Sequence, residues 1–345
     1  MLRSNALADL SPAYFAMVMA TGAVSIASHL QGLELLARTL LGFNVATWIA
    51  LWLLNVLRAI HHRARFIADL GDHLRGPSFF TAVAGTAVLA TQFVIFEVAA
   101  RFAVVLAAFA LILWLALTYT VFVMLTVKDE KPSLDRGISG AWLLTVVATQ
   151  SLAVLGAALS ARTSQPWKLE LNFVALAMWL CGGMLYIWVM ALIFYRYAFF
   201  RLAPRDMTPP YWINMGAMAI STLAGSQLIL DAHDAPFLQS MLPFLKGFTI
   251  LCWSTGTWWL PMLVALAVWR YVVKRFPLRY DPLYWGAVFP LAMYSIGTHV
   301  MVKALSLEFL GFLPPIFLAA SLAAWVAAFA GWTRRVTPLV LRRTG

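Results

Sequence analysis

Apolar residues fall in ten blocks separated by short polar stretches, at 12–30, 34–58, 78–97, 101–127, 139–160, 170–198, 211–230, 243–271, 283–305 and 313–333. A helix needs about 20 mostly apolar residues to cross the hydrocarbon core of a bilayer. Each block therefore predicts a membrane-spanning helix, and residues 1–345 predict a single transmembrane domain. The loops alternate in charge. One side carries Arg3, then Arg58, Arg63, Arg65 and Arg75, then Lys128, Lys131 and Arg136, then Arg196, Arg201 and Arg205. It continues with Arg270, Lys274, Arg275 and Arg279, and ends with Arg334, Arg335, Arg342 and Arg343, making 19 of the 25 basic residues. The other side keeps Arg38, Arg101, Arg162, Lys168, Lys246 and Lys303. Short basic loops stay cytoplasmic, so both termini are expected there, in a plasma membrane of the bacterial inner-membrane kind.

A repeat underlies the blocks. The odd-numbered spans begin near residues 12, 78, 139, 211 and 283, so each unit is a hairpin that leaves the basic side and returns to it. Units of like orientation are related by rotation about the membrane normal. The expected fold is all-α and integral to the membrane, with ten transmembrane helices as five helical hairpins of five-fold pseudo-symmetry around a central pore. The odd spans open on an aromatic and continue with small and hydroxyl residues, as in YFAMVMATGAVSIAS (14–28) and FFTAVAGTAVLATQ (79–92). The even spans are bulkier, as in FALILWLALTYTVFVML (109–125). Small residues allow close helix approach, which places the odd set inside and the even set against lipid.

Composition agrees. Hydrophobic residues are 62% and charged residues 11% of the chain, far from the roughly 25% charged of soluble domains. The net charge of +11 invites a nucleic-acid partner, but its confinement to short loops between apolar runs excludes one. Cys181 and Cys252 lie inside apolar runs and suggest neither a disulfide nor a metal site. The first residues are too short and polar for a cleaved signal peptide.

The chemistry available to the axis is sparse. Hydroxyls dominate: Thr21, Ser25, Thr86, Thr91, Thr145, Thr149, Ser221, Thr222, Ser295 and Thr298. Uncharged donors suit an anion that must both enter and leave, whereas a cation path calls for carboxylates or a carbonyl filter. Glu97, Glu170 and Asp231 stand at span ends, and His299 and Lys303 form a weakly cationic outer mouth on the ninth span. In that span Phe289 directly precedes Pro290. Proline leaves the carbonyl of Gly286 without its helical donor, a defect tolerated in hydrocarbon where other helices or a water-filled cavity answer it. The kink thus faces the protein interior or a pore, and packing alone is the alternative. His61, His62 and His73 lack zinc-site spacing and are expected in a solvated basic loop. No pair of axial haem ligands, no phosphate loop and no nucleophile–base arrangement appears; no enzyme activity, metal or cofactor is implied.

Two stretches carry a family likeness. SPAYFAMVMATGAVSIA (11–27) and WGAVFPLAMYSI (285–296) resemble the first and ninth helices of the tellurite-resistance/dicarboxylate transporter family, related to the slow anion channel of plant guard cells. The resemblance implies five hairpins around a pore, a homotrimer with one pore per subunit, and Phe289 as a plug that gates it. It implies an anion channel or channel-like transporter for small inorganic or organic anions, with C4-dicarboxylates such as malate as the expected substrate. The alternatives are a proton-coupled secondary carrier using His299 or Lys303, a sulfite exporter, and a membrane scaffold without permeation.

Overall fold

The protein is described by a computed structural model over residues 7–278 and 280–341, with side chains through Arg335. Arg3, Arg279, Arg342 and Arg343 of the basic side lie outside the described residues. Among the described residues, ten helices are long and apolar enough to cross a membrane: α1 Pro12–Leu30, α2 Glu34–His61, α3 Gly76–Ile95, α4 Ala100–Thr126 and α5 Gly140–Ser160, followed by α6 Trp167–Phe199, α7 Pro209–Asp234, α8 Leu242–Val273, α9 Pro282–Leu305 and α10 Glu308–Arg335. No strand occurs among the described residues. The first basic loop, expected as solvated coil, contains a further helix, Arg63–Leu70.

Each odd helix opens with a 3-10 turn, and four of the five turns carry proline in their first two positions. Proline is tolerated there because its missing N–H would have had no intrahelical acceptor. Ser11, Ser139 and Asp281 add side-chain caps, accepting from the backbone N–H of Ala13, Ala141 and Leu283.

The odd helices touch in the cyclic order α1, α3, α5, α7, α9 and back to α1, so they form a closed inner ring. Between 61% and 94% of the central residues of each odd helix are buried, against 22–44% for the even helices. That difference assigns the inner ring to the odd set. Each even helix packs on the inner helix of its own hairpin and presents an apolar face outward, with Leu53, Ile112, Trp188, Trp258 and Val326 all exposed.

Two sets of polar ties hold the outer helices in place. Every outer helix sends one indole N–H to the next inner helix. Trp48 donates to Thr86 Oγ1 at 2.9 Å, Trp114 to Thr149 Oγ1 at 2.8 Å, and Trp179 to the carbonyl of Ser221 at 2.8 Å. Trp253 donates to Thr298 Oγ1 at 3.0 Å, and Trp325 reaches Thr21 Oγ1 at 3.0 Å, which joins the last hairpin to the first. At the basic end, one cation of each outer helix turns back to the segment leading into its own inner helix. Arg58 donates to the carbonyl of Ala8, Lys128 to Gly71, Arg196 to Ile138, Arg270 to Met207 and Arg335 to Tyr280. A carbonyl just ahead of a helix has no partner in the ladder, so the cation satisfies it while its charge stays near the interface.

Arg58 is the most enclosed of these cations, fully buried and paired with Asp69, which Arg75 also holds at 2.9 Å. Removing one member of a buried pair leaves an uncompensated charge, typically costing about 3–5 kcal/mol. Arg58→Leu is expected to destabilise the bundle by about 3 kcal/mol, the low end of that range, because Arg75 keeps Asp69 paired. Lys128→Gln, at an exposed clip, should barely move the thermal unfolding midpoint in micelles. Equal midpoints for the two variants would refute the ranking.

Candidate functional site

The inner ring encloses a cavity of about 190 Å³ on its axis, lined by all five odd helices. Its wall follows one rule of sequence. Met293, Ile296 and Val300 of α9 stand 11, 14 and 18 residues after Pro282, the first residue of that helix. Val88, Thr91 and Ile95 keep the same distances from Pro77, and Ile220, Leu223 and Gln227 from Pro209. Ser151 and Val154 follow Gly140 by 11 and 14 residues, and Ile26 and Leu30 follow Pro12 by 14 and 18. Spacings of three and four residues mark a single helix face, so each inner helix turns the same face to the axis in two or three successive layers.

One layer nearer the basic end, seven residues after the same reference positions (Pro12, Pro77, Gly140, Pro209 and Pro282), the same face carries Met19, Ala84, Val147, Gly216 and Phe289. All five are buried, and the Phe289 side chain is wholly inaccessible. Phe289 carries the largest side chain of the five and stands four residues before Met293 on the α9 face that lines the cavity, without itself being a lining residue. Pro290 beside it packs on Gly216, where an added Cβ would come within 2.7 Å of the proline ring and 3.0 Å of its Cα. The Phe-Pro pair of α9 therefore depends on the missing side chain in α7.

The wall is mostly apolar. Its polar residues are Thr91, Ser151 and Gln227, none of them titratable. Thr91 and Ser151 direct their hydroxyl protons to carbonyls of their own helix, those of Ala87 and Val147, leaving oxygen lone pairs and Cβ–H edges at the surface. The side-chain carbonyl of Gln227 is buried without a partner.

The other hydroxyls expected on the axis are engaged elsewhere. Thr21, Thr86, Thr149 and Thr298 receive the indole bonds, so their hydroxyls face the outer helices. Ser25 donates to the carbonyl of Ala37 on α2 at 2.7 Å. Ser295 donates to the carbonyl of Pro314 at 2.8 Å and accepts from Gln31 at 2.9 Å. Thr145, Ser221 and Thr222 bond carbonyls of their own helix. Thr91 alone of the expected set lines the cavity. The physical reason is that a hydroxyl in hydrocarbon takes whatever acceptor or donor lies nearest, and bulky outer helices supply both. At the far end His299 is half-buried, with Nε2 lacking a partner, next to the cavity residue Val300; Lys303 is exposed. Ser151 and Gln227 escape sequence reasoning because hydroxyl content alone does not report helix face; counting from each opening residue would have found them.

Comparison with known proteins agrees with this architecture. The sequence profile of the voltage-dependent anion channel family matches residues 9–333. An uncharacterized transporter of Methanocaldococcus jannaschii is 25% identical over 311 residues, covering 88% of each chain. A second from the same organism is 26% identical over 313 residues, covering 87% of each. An uncharacterized membrane protein of Mycobacterium tuberculosis is 39% identical over 149 residues, which is 43% of this chain and 72% of that one.

The fit between α7 and α9 has a measurable consequence. Gly216→Ala should destabilise the protein by about 1–3 kcal/mol, the cost of overpacking against a ring that cannot retreat. Gly247→Ala on α8, where an added Cβ meets nothing within 4 Å, should be neutral or gain up to about 1 kcal/mol of helix propensity. Thermal unfolding of both variants in micelles tests the contrast; a neutral Gly216→Ala would remove the close packing from the account.

Proposed function

The chain belongs to the voltage-dependent anion channel family, and on that premise we propose that it conducts small anions along the axis of its inner ring, with Phe289 as the closed gate. The observation that carries the reading is the shared helix face of Phe289, Met293, Ile296 and Val300: the aromatic ring stands in line with the α9 residues that line the cavity. Pro290 at the same level weakens the helix ladder locally, which eases rotation of the ring out of the path. The basic face is the cytoplasmic one, in keeping with the positive-inside rule, and the membrane is a bacterial inner membrane. In the homotrimer that the resemblance implies, each subunit keeps its own pore, and His299 and Lys303 flank its outer mouth.

The wall also ranks the substrates. It offers weak dipoles and no fixed cation, so an ion in the cavity recovers little of its lost hydration. By the square dependence of Born solvation on charge, a dianion loses about four times what a monoanion of equal size loses. Chloride and nitrate are therefore better suited than fully ionised malate or sulfite, and a C4-dicarboxylate passes best with one carboxyl protonated. A proton-coupled carrier would place a titratable group where the substrate binds, and none lines this cavity.

Anion current in proteoliposomes or planar bilayers tests both statements. Phe289→Ala is expected to raise chloride and nitrate currents about tenfold or more, as for a barrier lowered by at least ~1.4 kcal/mol, with malate lagging at neutral pH. Unchanged current in a well-folded variant would refute the gate. Saturable, pH-driven flux equal in both proteins would refute the channel and turn attention to His299. In the Phe289→Ala background, Gln227→Leu should reduce current, while Thr21→Val should leave it intact and cost about 1 kcal/mol of stability through the lost indole bond.

A further inference from the structure

The basic face carries a second concavity, off the conduction axis and larger than the axial cavity, with a volume of about 930 Å³. It lies where the basic ends of α5, α6 and α8 meet the 200–208 segment that leads into α7. Five cations line it, Arg136, Arg196, Arg201, Arg205 and Lys274, against two carboxylates, Asp135 and Asp206. Among the described residues, Arg136, Arg201 and Lys274 form no ion pair, and all three are exposed at the rim. Arg196 forms the floor; it is almost wholly buried and fixed by the carbonyl of Ile138 and the hydroxyl of Tyr211. Its other terminal nitrogen stands 3.9 Å from Asp206.

Cations needed only to orient a membrane protein have no reason to converge. Here four separate segments bring theirs to one hollow, and the hydroxyls of Ser139 and Thr208 add hydrogen-bond donors to its wall. The Asp135 carboxyl is held below its ordinary range chiefly by a hydrogen bond from Ser133, then by one from its own backbone, with the charges of Arg136 and Arg196 adding less. Trp269 and Leu202 give the hollow an apolar flank.

We propose that this cleft is a binding site for a phosphate-bearing anion, held by Arg136, Arg201 and Lys274 over the Arg196 floor. Guanidinium groups match phosphate oxygens in pairs, and Lys274 adds a point charge. The chemistry fits either the headgroup of an anionic phospholipid in the adjoining leaflet or a soluble phosphate ester. The site stands apart from the conduction reading and does not depend on it. Its position bears on the fold all the same. Trp269 and Lys274 bracket the π-turn that ends α8, and Tyr271 within that turn shares a 2.7 Å hydrogen bond with the hydroxyl of Tyr284, five residues ahead of Phe289. An occupant would press on the segment that steadies the start of α9.

The test uses the full-length protein and two probes: inorganic pyrophosphate followed by calorimetry in micelles, and phosphatidylglycerol retention followed by native mass spectrometry after release from phosphatidylcholine/phosphatidylglycerol nanodiscs. At least one probe is expected to bind saturably to the wild type. Saturable pyrophosphate binding that displaces the lipid assigns the site to a soluble phosphate; lipid retention indifferent to pyrophosphate assigns it to the headgroup. The double variant Arg201→Gln/Lys274→Gln should weaken binding about tenfold or more, equivalent to ~1.4 kcal/mol, and Arg136→Glu on a different element should do the same with an unchanged melting temperature. The charge-matched control Arg63→Gln/Lys131→Gln removes two exposed cations of the same face and should leave binding unaltered. Equal weakening by both double variants, or no binding of either probe to the wild type, would overturn the proposal.

Discussion

The constraint on which this structure depends is that hydrocarbon offers no partner to a polar group. Most hydroxyls, indoles and guanidiniums brought into the bundle find a match inside it, while a few, such as the Trp52 indole and the Ser226 and Thr249 hydroxyls, are buried without one. The five indole bonds from outer to inner helices and the five cation clips at the basic end are two repeating answers to that demand. They also set the assembly. The clip fixes a hairpin to itself, and the indole bond fixes it to the next, so the ring closes when Trp325 reaches Thr21. Each bond is modest, near 0.6 kcal/mol on average for polar contacts between membrane helices. Repetition around a closed ring makes the set decisive for register.

The same demand shapes the axis. Threonines that would give a pore strong dipoles are drawn outward to the tryptophans, and the face left toward the axis is chiefly aliphatic. A wall of that kind holds ions weakly, which favours passage over retention. Phe289 shares its helix register with Met19, Ala84, Val147 and Gly216, and all five are buried. Gly216 serves a second purpose, because only a residue without Cβ lets α7 approach Pro290.

At the basic face charge is divided between two tasks. Arg58, Arg196 and Arg270 are almost wholly buried and spend their donors on carbonyls and neighbouring groups of the fold. Arg136, Arg201 and Lys274 are exposed and converge on an open cleft. A basic loop in a membrane protein thus contains residues of different kinds, and burial separates them where charge counting does not.

Much of the architecture was legible in the chain itself. Ten apolar blocks require ten spanning helices, and the contrast between small odd spans and bulky even ones predicts which set lies inside, since close approach needs small residues whatever their detailed packing. The Phe289-Pro290 pair stood out because a proline in a spanning helix must be accommodated by its surroundings. What the sequence left open was direction around each helix. Thr21 and Thr91 are the same residue type on inner helices, yet one faces Trp325 and the other the cavity. That choice follows from which neighbour lies on which side, a property of the assembled ring. Ser151 and Gln227 came to the axis, and Thr86 and Thr149 left it, for the same reason. Composition determined what kind of protein this is; only the packing of ten helices against one another decided which side chains an ion would meet.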